Sequence, residues 1–251
     1  MLRHTLLILT LSLAPLTSAY AVFGGATVKS ADPIYVSAVG IYNKETGSTC
    51  SGVLLSSRLV LTAAHCLTED RGNIRLFFGE NVSSSPTRRV ADGVRHPEYR
   101  DDSTGTHRHD LAIIKIRGSA PEGFVPAKFL ENIEALENLA PTWVAGYGTK
   151  DAKLDIGMRI LRKTLLPIRD VHFSESEVSL IQTPDYGVCV GDSGGPSYIF
   201  VGDQVYVWGI AHKVYAYGGN VCMFGSAYTR VDYYRDWIER TSKTLENRKS
   251  D

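Results

Sequence analysis

Residues 191–196 have the sequence Gly-Asp-Ser-Gly-Gly-Pro, a turn-forming segment that could carry a nucleophile. A serine in a glycine-rich turn is weak evidence by itself, because most such serines only shape the turn. An acyl-transfer nucleophile needs backbone N–H groups that reach a developing oxyanion, and a Cβ at Gly191 would obstruct them. A nucleophilic Ser193 would also require a base and a group that orients this base.

Two further residues could supply those groups. His65 follows two alanines and precedes Cys66, which can tether it through a disulfide. Asp110 opens the apolar run 111–116, so its carboxylate is expected at the mouth of a buried strand, desolvated and available to an imidazole N–H. Taken alone, a histidine is usually a surface or packed residue and a strand-end aspartate is usually solvated. The prediction therefore depends on the three residues occurring together.

The elements that must position these residues are mostly strands. Short β-like runs separated by Gly, Asn, Asp and Ser predict an all-β sandwich or barrel with strands at 35–42, 51–55, 59–61, 74–78, 111–116, 142–145, 160–168 and 204–211. Helical periodicity is convincing only at the end of the chain, where Asp232 is the predicted N-cap. The apolar face of this helix is formed by Tyr234, Trp237, Ile238, Thr241 and Leu245.

The first 21 residues predict a secretory signal peptide. Arg3 supplies a positive start, residues 6–13 form a short apolar core, and residues 19–21 read Ala-Tyr-Ala, an A-x-A cleavage pattern. The apolar run is too short for a membrane anchor. The pattern favours cleavage after Ala21, and a competing cut after Ala19 would leave two residues to be trimmed. A secreted, extracellular or periplasmic protein with four cysteines can form two disulfides.

Composition limits the classes of partner. The chain has 251 residues, 43% of them hydrophobic, which excludes a collagen-like or largely disordered protein. Its 27 basic and 27 acidic side chains give no net charge that would attract nucleic acid or an acidic membrane surface. No cofactor or metal is expected, because residues 107–110 (His-Arg-His-Asp) lack further closely spaced ligands and are interpreted as a polar loop. A monomer without stable membrane insertion is expected.

Together the segments that contain His65, Asp110 and Ser193 resemble the chymotrypsin/trypsin-like family of serine peptidases. The resemblance extends to residues 22–25, 96–99, 144–149 and 228–238, and the chain order His, Asp, Ser is specific to this family among unrelated hydrolases. It implies an all-β fold of two six-stranded antiparallel β-barrels with a C-terminal α-helix. The peptidase domain would span 22–251, with barrel 1 at about 22–125, barrel 2 at about 126–230 and the helix at about 232–246.

The resemblance also implies roles for individual residues. Ser193 would be the nucleophile, His65 the general base and acid, and Asp110 the group that fixes the imidazole tautomer. The N–H groups of Gly191 and Ser193 would form the oxyanion hole, and the mechanism would be covalent acyl transfer. Activity is then expected to rise with pH around a midpoint of about 6.5–7, and a flat profile would count against the role of His65.

Two stabilising features follow from the same resemblance. A free α-amino group at Val22 would insert beside Asp192, because a buried carboxylate needs a partner to offset its desolvation. If the signal peptide is cut after Ala21, Val22 itself becomes the N-terminus and no activation peptide remains. Of the three possible pairings of four cysteines, the resemblance supports the disulfides Cys50–Cys66 and Cys189–Cys222.

The substrate pocket departs from the trypsin pattern. The resemblance places the floor of the pocket for the residue on the acyl side of the scissile bond (P1) two residues before Cys189. That position is Gly187, followed by Val188. Because neither residue is charged, the sequence argues against a basic P1 residue. Asp185 lies two residues too early to replace it. Ser226 and Val214 are predicted to line the far wall, where a valine would favour small or medium apolar P1 residues.

The stretch 209–214 leaves an alternative open. The serine that usually helps to hold the catalytic aspartate is missing or displaced, and either His212 takes its place or the segment Tyr217-Gly218 aligns there instead. This departure supports a rival hypothesis, a catalytically silent homologue that acts as a secreted binding module. Protein or peptide substrates, and protein inhibitors of peptidases, are the partners that the enzyme hypothesis implies. Asn81-Val82-Ser83 is a glycosylation sequon only in a host that glycosylates secreted proteins.

Overall fold

The computed structural model describes residues 22–101, 107–151, 156–202, 204–217 and 220–248. The predicted signal peptide therefore lies outside the described residues. The strands of the first half are β1 (Ala26–Thr27), β2 (Ala38–Asn43), β3 (Thr49–Leu54), β4 (Leu59–Thr62), β5 (Ile74–Phe77), β6 (Thr87–Arg95), β7 (Arg100–Asp101), β8 (His107–Arg108) and β9 (Ala112–Ile116). Those of the second half are β10 (Lys128–Phe129), β11 (Pro141–Gly146), β12 (Arg162–Asp170), β13 (Glu177–Ile181), β14 (Pro196–Val201), β15 (Gln204–Tyr217) and β16 (Asn220–Arg230).

The first barrel closes in the order β2-β3-β4-β9-β6-β5. All of its pairings are antiparallel. Strands β4 and β9 are buried along their whole length, and apart from Thr62 and Lys115 their residues are apolar. Closure pairs every strand on both sides and leaves no exposed edge.

The second barrel follows the order β12-β11-β14-β15-β16-β13 and closes because β12 also pairs with β13. β1 adds to β12, and β10 adds to β15 in parallel. The predicted fold, two six-stranded antiparallel β-barrels with a C-terminal helix, is confirmed. Three short 3-10 helices, Ala64–Cys66, Arg71–Asn73 and Ile133–Ala135, lie in loops of the described chain.

The C-terminal helix α1 spans Arg235–Asn247. Its predicted apolar face is confirmed, since Tyr234, Ile238 and Leu245 are all buried. The predicted N-cap was wrong: α1 begins after Tyr234, and no side chain caps it. Asp232 instead pairs with Arg230 at 2.7 Å, so its carboxylate is occupied by a neighbour on β16. No helix among the described residues is long and apolar enough to cross a membrane.

A buried lysine joins the first barrel to α1. Lys115 on β9 is 1% exposed, and its Nζ donates to the carbonyl oxygens of Leu245 at 2.7 Å and Arg248 at 2.5 Å. The last carbonyls of a helix have no intrahelical partner and carry partial negative charge, so an ammonium stabilises them.

Replacing Lys115 with methionine is expected to lower the free energy of unfolding by about 2 kcal/mol, because buried carbonyls lose a charged donor. Guanidinium unfolding of the variant measures this. The matched control is Lys44→Met, which changes an exposed lysine. Equal stability of the two variants would show that Lys115 contributes nothing to the docking of α1.

Candidate active site

The register of two strands brings His65 and Asp110 together. Thr62, the last residue of β4, lies opposite Ala112, the first residue of β9. The residues that follow β4 therefore lie close to those that precede β9. His65 sits in the 3-10 turn that follows β4. Its ring Nδ1 lies 2.6 Å from Asp110 Oδ2, and its backbone N–H donates to Oδ1 at 3.0 Å. These two contacts fix both the position and the orientation of the imidazole.

Asp110 is held as a carboxylate although it is fully buried. Burial by itself raises the pKa of Asp110, but hydrogen bonds and charge from His65, with a further contribution from the charge of His212, lower the pKa below its ordinary value. An anionic Asp110 can accept the Nδ1–H of His65, which leaves Nε2 as the acceptor on the opposite side of the ring.

Ser193 lies in the loop between β13 and β14, and it lines the same cleft as His65. The cleft has a volume of about 510 Å³. The carbonyl oxygen of Ser193 accepts a hydrogen bond from Ser51 N at 2.7 Å, which ties this second-barrel loop to β3 of the first. Ser193 and His65 therefore line one cleft, and the buried Asp110 contacts His65.

The glycines of the Ser193 turn are required for close packing. Gly191 has a φ of +94°, and a Cβ there would lie 2.7 Å from the Cα of Gly148. Gly194 also has a positive φ, +79°, and its α-carbon faces Thr62 and the backbone of Ser51 too closely for a side chain. Neither Gly191 N nor Ser193 N donates a hydrogen bond to another described residue. The structure thus adds a steric reason for Gly191 to the chemical one.

Ser51 is a site residue that sequence reasoning missed. Its Oγ donates to the carbonyl of Gly191 at 2.9 Å and accepts from Tyr147 N at 2.9 Å. Together with the backbone contact to Ser193, this side chain anchors both ends of the turn 191–193. Its position directly after Cys50 was the available signal, because the predicted disulfide already placed Cys50 beside His65.

Both predicted disulfides, Cys50–Cys66 and Cys189–Cys222, are present. The first is adjacent to His65 and the second is close to the Ser193 turn. The first also removes two potential metal ligands, because Cys50 and Cys66 lie with His65 in a cluster of suitable spacing but are bonded to each other.

Within the described parts of the chain, one other cluster has ligand atoms within 4.8 Å of one another: His96, Glu98 and His109. The two imidazole rings are stacked, with centroids 5.1 Å apart and planes 12° from parallel. A metal lies in the plane of each ring that binds it, and stacked rings do not share such a position. His109 also shares a 2.8 Å hydrogen bond with Tyr234. This arrangement is that of a packed aromatic cluster.

Val22 and Asp192 are both buried, each 1% exposed. The N-terminal segment is seated in the second barrel, because Gly187 N donates to Phe23 O at 3.0 Å. Asp192 accepts from Gly148 N at 2.8 Å and Cys189 N at 2.9 Å. Burial nevertheless raises the pKa of Asp192 to about 7. In the full chain the nitrogen of Val22 is a neutral amide, so it offers this carboxyl no positive charge.

Two of the four predicted pocket residues line the cleft, Val188 and Val214. Gly187 and Ser226 are buried and are not part of the cleft lining. A Cβ at Gly187 would lie 2.6 Å from the ring of Phe23 and 2.7 Å from Nε2 of Gln182. The space beside Gly187 is therefore filled by the side chains of Phe23 and Gln182.

Gln182 is a second residue that the sequence reasoning missed. It is buried, its Oε1 accepts from Val188 N at 3.1 Å, and its Nε2 donates to the carbonyls of Val188 and Cys222. These contacts hold together the two segments that carry the second disulfide. No local pattern marks this glutamine, because its partners are up to 40 residues away.

Of the two alternatives for the stretch 209–214, the structure places His212 in the wall of the cleft. Tyr217 lies at the far end of β15, opposite Asn220, and Gly218 is outside the described residues. Ala211, immediately before His212, exchanges backbone hydrogen bonds with the Ser193 turn: its carbonyl accepts from Gly194 N at 2.7 Å and its N–H donates to Gly195 O at 2.8 Å.

Comparison with known proteins agrees with this geometry. A family model described as Trypsin matches residues 26–238. The chain is 27% identical to chymotrypsin-like elastase family member 1 of Bos taurus over 89% of this chain and 90% of that protein. It is 25% identical to mast cell protease 3 of Ovis aries, covering 97% and 98%, and 27% identical to granzyme B(G,H) of Mus musculus, covering 97% and 100%. The match over most of the chain, on a fold of two closed barrels, means that this protein belongs to the trypsin family and is a serine endopeptidase.

Proposed function

We propose that this chain is a secreted endopeptidase that cleaves peptide bonds with Ser193, His65 and Asp110 through an acyl-enzyme intermediate. The observation that carries the proposal is the double contact of Asp110 with His65, to the ring at 2.6 Å and the backbone at 3.0 Å, beside a cleft that also contains Ser193. A buried carboxylate that fixes an imidazole at a cleft is the arrangement that general-base activation of a hydroxyl requires.

In the proposed reaction, Ser193 Oγ attacks the carbonyl carbon of the scissile bond and transfers its proton to Nε2 of His65. Asp110 stabilises the imidazolium without taking its proton. The N–H groups of Gly191 and Ser193, which no other described residue engages, stabilise the oxyanion. His65 then protonates the leaving amine, and water, activated by the same imidazole, releases the acyl group from Ser193.

Secretion is part of the proposal. The predicted signal peptide directs export, and the two disulfides are compatible with an oxidising compartment. Cleavage after Ala21 would make Val22 a free α-ammonium group near Asp192, and the burial of both residues supports that pairing. Protein or peptide substrates and protein inhibitors are the proposed partners, and the protein is proposed to act as a monomer.

The proposed P1 preference is for small or medium apolar residues. Val188, Ala211 and Val214 give the cleft apolar walls. The ring of Phe23 beside Gly187 occupies the space that an acidic side chain would need in order to pair with a basic P1 residue. The relative named as an elastase is consistent with this preference.

Digestion of a mixed peptide library, with cleavage sites read by mass spectrometry, is expected to show cuts mainly after residues such as Ala and Val. Cleavage after the preferred apolar residues should be more than about 10-fold as efficient as cleavage after basic residues, since a lysine placed against an apolar wall leaves its charge unpaired. Predominant cutting after Arg or Lys would refute the interpretation of Gly187. Edman sequencing of the same secreted sample tests whether the chain begins at Val22.

A serine-directed phosphonylating reagent tests the catalytic proposal. The wild-type protein is expected to be labelled at Ser193, and the His65→Ala variant is not. Failure of the folded wild-type protein to react would favour the silent homologue that acts as a binding module. Labelling of another serine would show that the nucleophile has been misassigned.

A further inference from the structure

The backbone turns sharply at the residue that precedes Asp110. His109 has a φ of +52°, in the left-handed region that residues with a Cβ seldom adopt. The N–H of Leu111 donates to the carbonyl oxygen of His109 at 2.8 Å, which closes a three-residue γ-turn with Asp110 at its centre. The carbonyl of Leu111 accepts from His96 N at 2.8 Å, so the turn is tied to the residue that follows β6. The direction of the Asp110 carboxylate therefore depends on the backbone conformation of His109.

Three side chains contact the imidazole of His109. Its Nδ1 shares a hydrogen bond of 2.8 Å with the hydroxyl of Tyr234, the residue immediately before α1. The ring is stacked on that of His96, with centroids 5.1 Å apart, and Nε2 lies 3.9 Å from a carboxylate oxygen of Glu98. A left-handed residue other than glycine persists only where its surroundings fix it, and these contacts provide that constraint.

Tyr234 is itself firmly held. It is 4% exposed, and its ring lies edge-on to those of His109 and His96, at interplanar angles of 87° and 77°. Burial raises the pKa of Tyr234 to about 12, so the hydroxyl keeps its proton near neutral pH and can donate to an unprotonated Nδ1. Because Tyr234 precedes α1, the docking of the C-terminal helix places this hydroxyl against the loop that carries Asp110.

We propose that His109 and Tyr234 are positioning residues for peptide hydrolysis: the Tyr234 hydroxyl holds His109 in its left-handed conformation, and this conformation aims the Asp110 carboxylate at His65. The inference rests on the proposed function, because the direction of Asp110 matters to the reaction only if His65 is the base. It assigns a kinetic role to α1, whose residues lie outside the lining of the cleft.

The first measurement compares kcat and KM of Tyr234→Phe with those of the wild type on one amide substrate. This substitution keeps the packed ring and removes only the hydroxyl. It is expected to lower kcat about 10-fold with KM changed less than about 2-fold, because a small displacement of Asp110 misplaces the imidazole without altering the binding surface. The matched control is Tyr233→Phe, which removes the hydroxyl of the exposed neighbouring tyrosine and should leave kcat unchanged.

A double-mutant cycle separates positioning from a general loss of stability. In the Asp110→Asn background there is no carboxylate to aim, so Tyr234→Phe is expected to lower kcat by less than about 2-fold further. The loss of unfolding free energy caused by Tyr234→Phe, measured with guanidinium, should be the same in both backgrounds. A merely structural role would lower stability without this dependence of the kcat effect on Asp110.

His109→Gly and His109→Ala test the backbone separately. Both variants lack the imidazole, but glycine adopts a positive φ at no steric cost and alanine does not. His109→Gly is therefore expected to have a kcat about 5-fold higher than that of His109→Ala. A side chain that only filled space would give the opposite order, because alanine fills more of it.

Two results would overturn this inference and leave the proposed function standing. One is a Tyr234→Phe variant as active as Tyr233→Phe, and the other is an equal loss of kcat from Tyr234→Phe in the Asp110→Asn background. If Tyr234→Phe does not fold, the His109 pair decides, and a kcat of His109→Ala equal to or above that of His109→Gly refutes the inference. Wild-type protein that neither hydrolyses the substrate nor reacts with phosphonate at Ser193 refutes the proposed function itself.

Discussion

Replacing Ser193 with alanine is expected to lower kcat by about 10⁶-fold while leaving the fold intact, because the variant has no hydroxyl to form the acyl-enzyme. Asp110→Asn should lower kcat by about 10⁴-fold. The amide can no longer accept Nδ1–H at the position that now lies 2.6 Å from the ring, so the imidazole adopts the wrong tautomer for accepting the proton of Ser193. Initial rates on a chromogenic amide substrate give both numbers.

The effects of these residues should not add. If Ser193 and His65 act as one unit, the double variant Ser193→Ala/His65→Ala is expected to be no slower than Ser193→Ala alone. Ser57→Ala serves as the control and should retain full activity, because Ser57 is an exposed serine in the loop between β3 and β4. Residual activity of Ser193→Ala above about one thousandth of wild type would exclude the proposed nucleophile.

The second large effect concerns the free N-terminus. In a chain that keeps residues before Val22, Asp192 is buried without an α-ammonium partner, and its pKa is raised from 3.8 to about 7. Below pH 4 the carboxyl is protonated in both the folded and the unfolded chain. As the pH rises from about 4 to about 7, the unfolded chain loses this proton first, so the folded state is progressively destabilised. This difference between the pKa of Asp192 in the folded and the unfolded chain corresponds to about 4 kcal/mol in the free energy of unfolding.

The test compares the chain that begins at Val22 with one that retains Tyr20 and Ala21. Guanidinium unfolding at several pH values gives the stability of each. The titrating groups whose surroundings differ between the two forms in this pH range are Asp192 and the α-amino group, and the remaining groups cancel in the difference. The extended form is expected to lose up to about 4 kcal/mol relative to the Val22 form between pH 4 and pH 7, with no further loss at higher pH. Asp192→Asn in the extended form should abolish this pH dependence. Parallel stability curves for the two forms would contradict the pairing of Val22 with Asp192.

Part of the fold and of the candidate site could be predicted from local sequence. The eight predicted strands each overlap an observed one, because continuous or alternating apolar residues mark a buried strand wherever it pairs. The other eight strands were not predicted: the short β1, β7, β8 and β10, and the longer β6, β13, β14 and β16. β6, for instance, contains Gly93 and several charged residues, and only its neighbours β5 and β9 make it a barrel strand.

What the sequence by itself determined is the set of candidate reactive groups, their order along the chain, the four cysteines and the apolar face of α1. Each of these is expressed by residues close together in the chain or by residue types that are chemically distinctive. Only the tertiary structure decided the partners: Thr62 opposite Ala112, Ser51 against the Ser193 turn, and Tyr234 beside His109. Those contacts depend on how each barrel closes and where α1 docks, and strand register is a property of the whole sheet that no local pattern encodes.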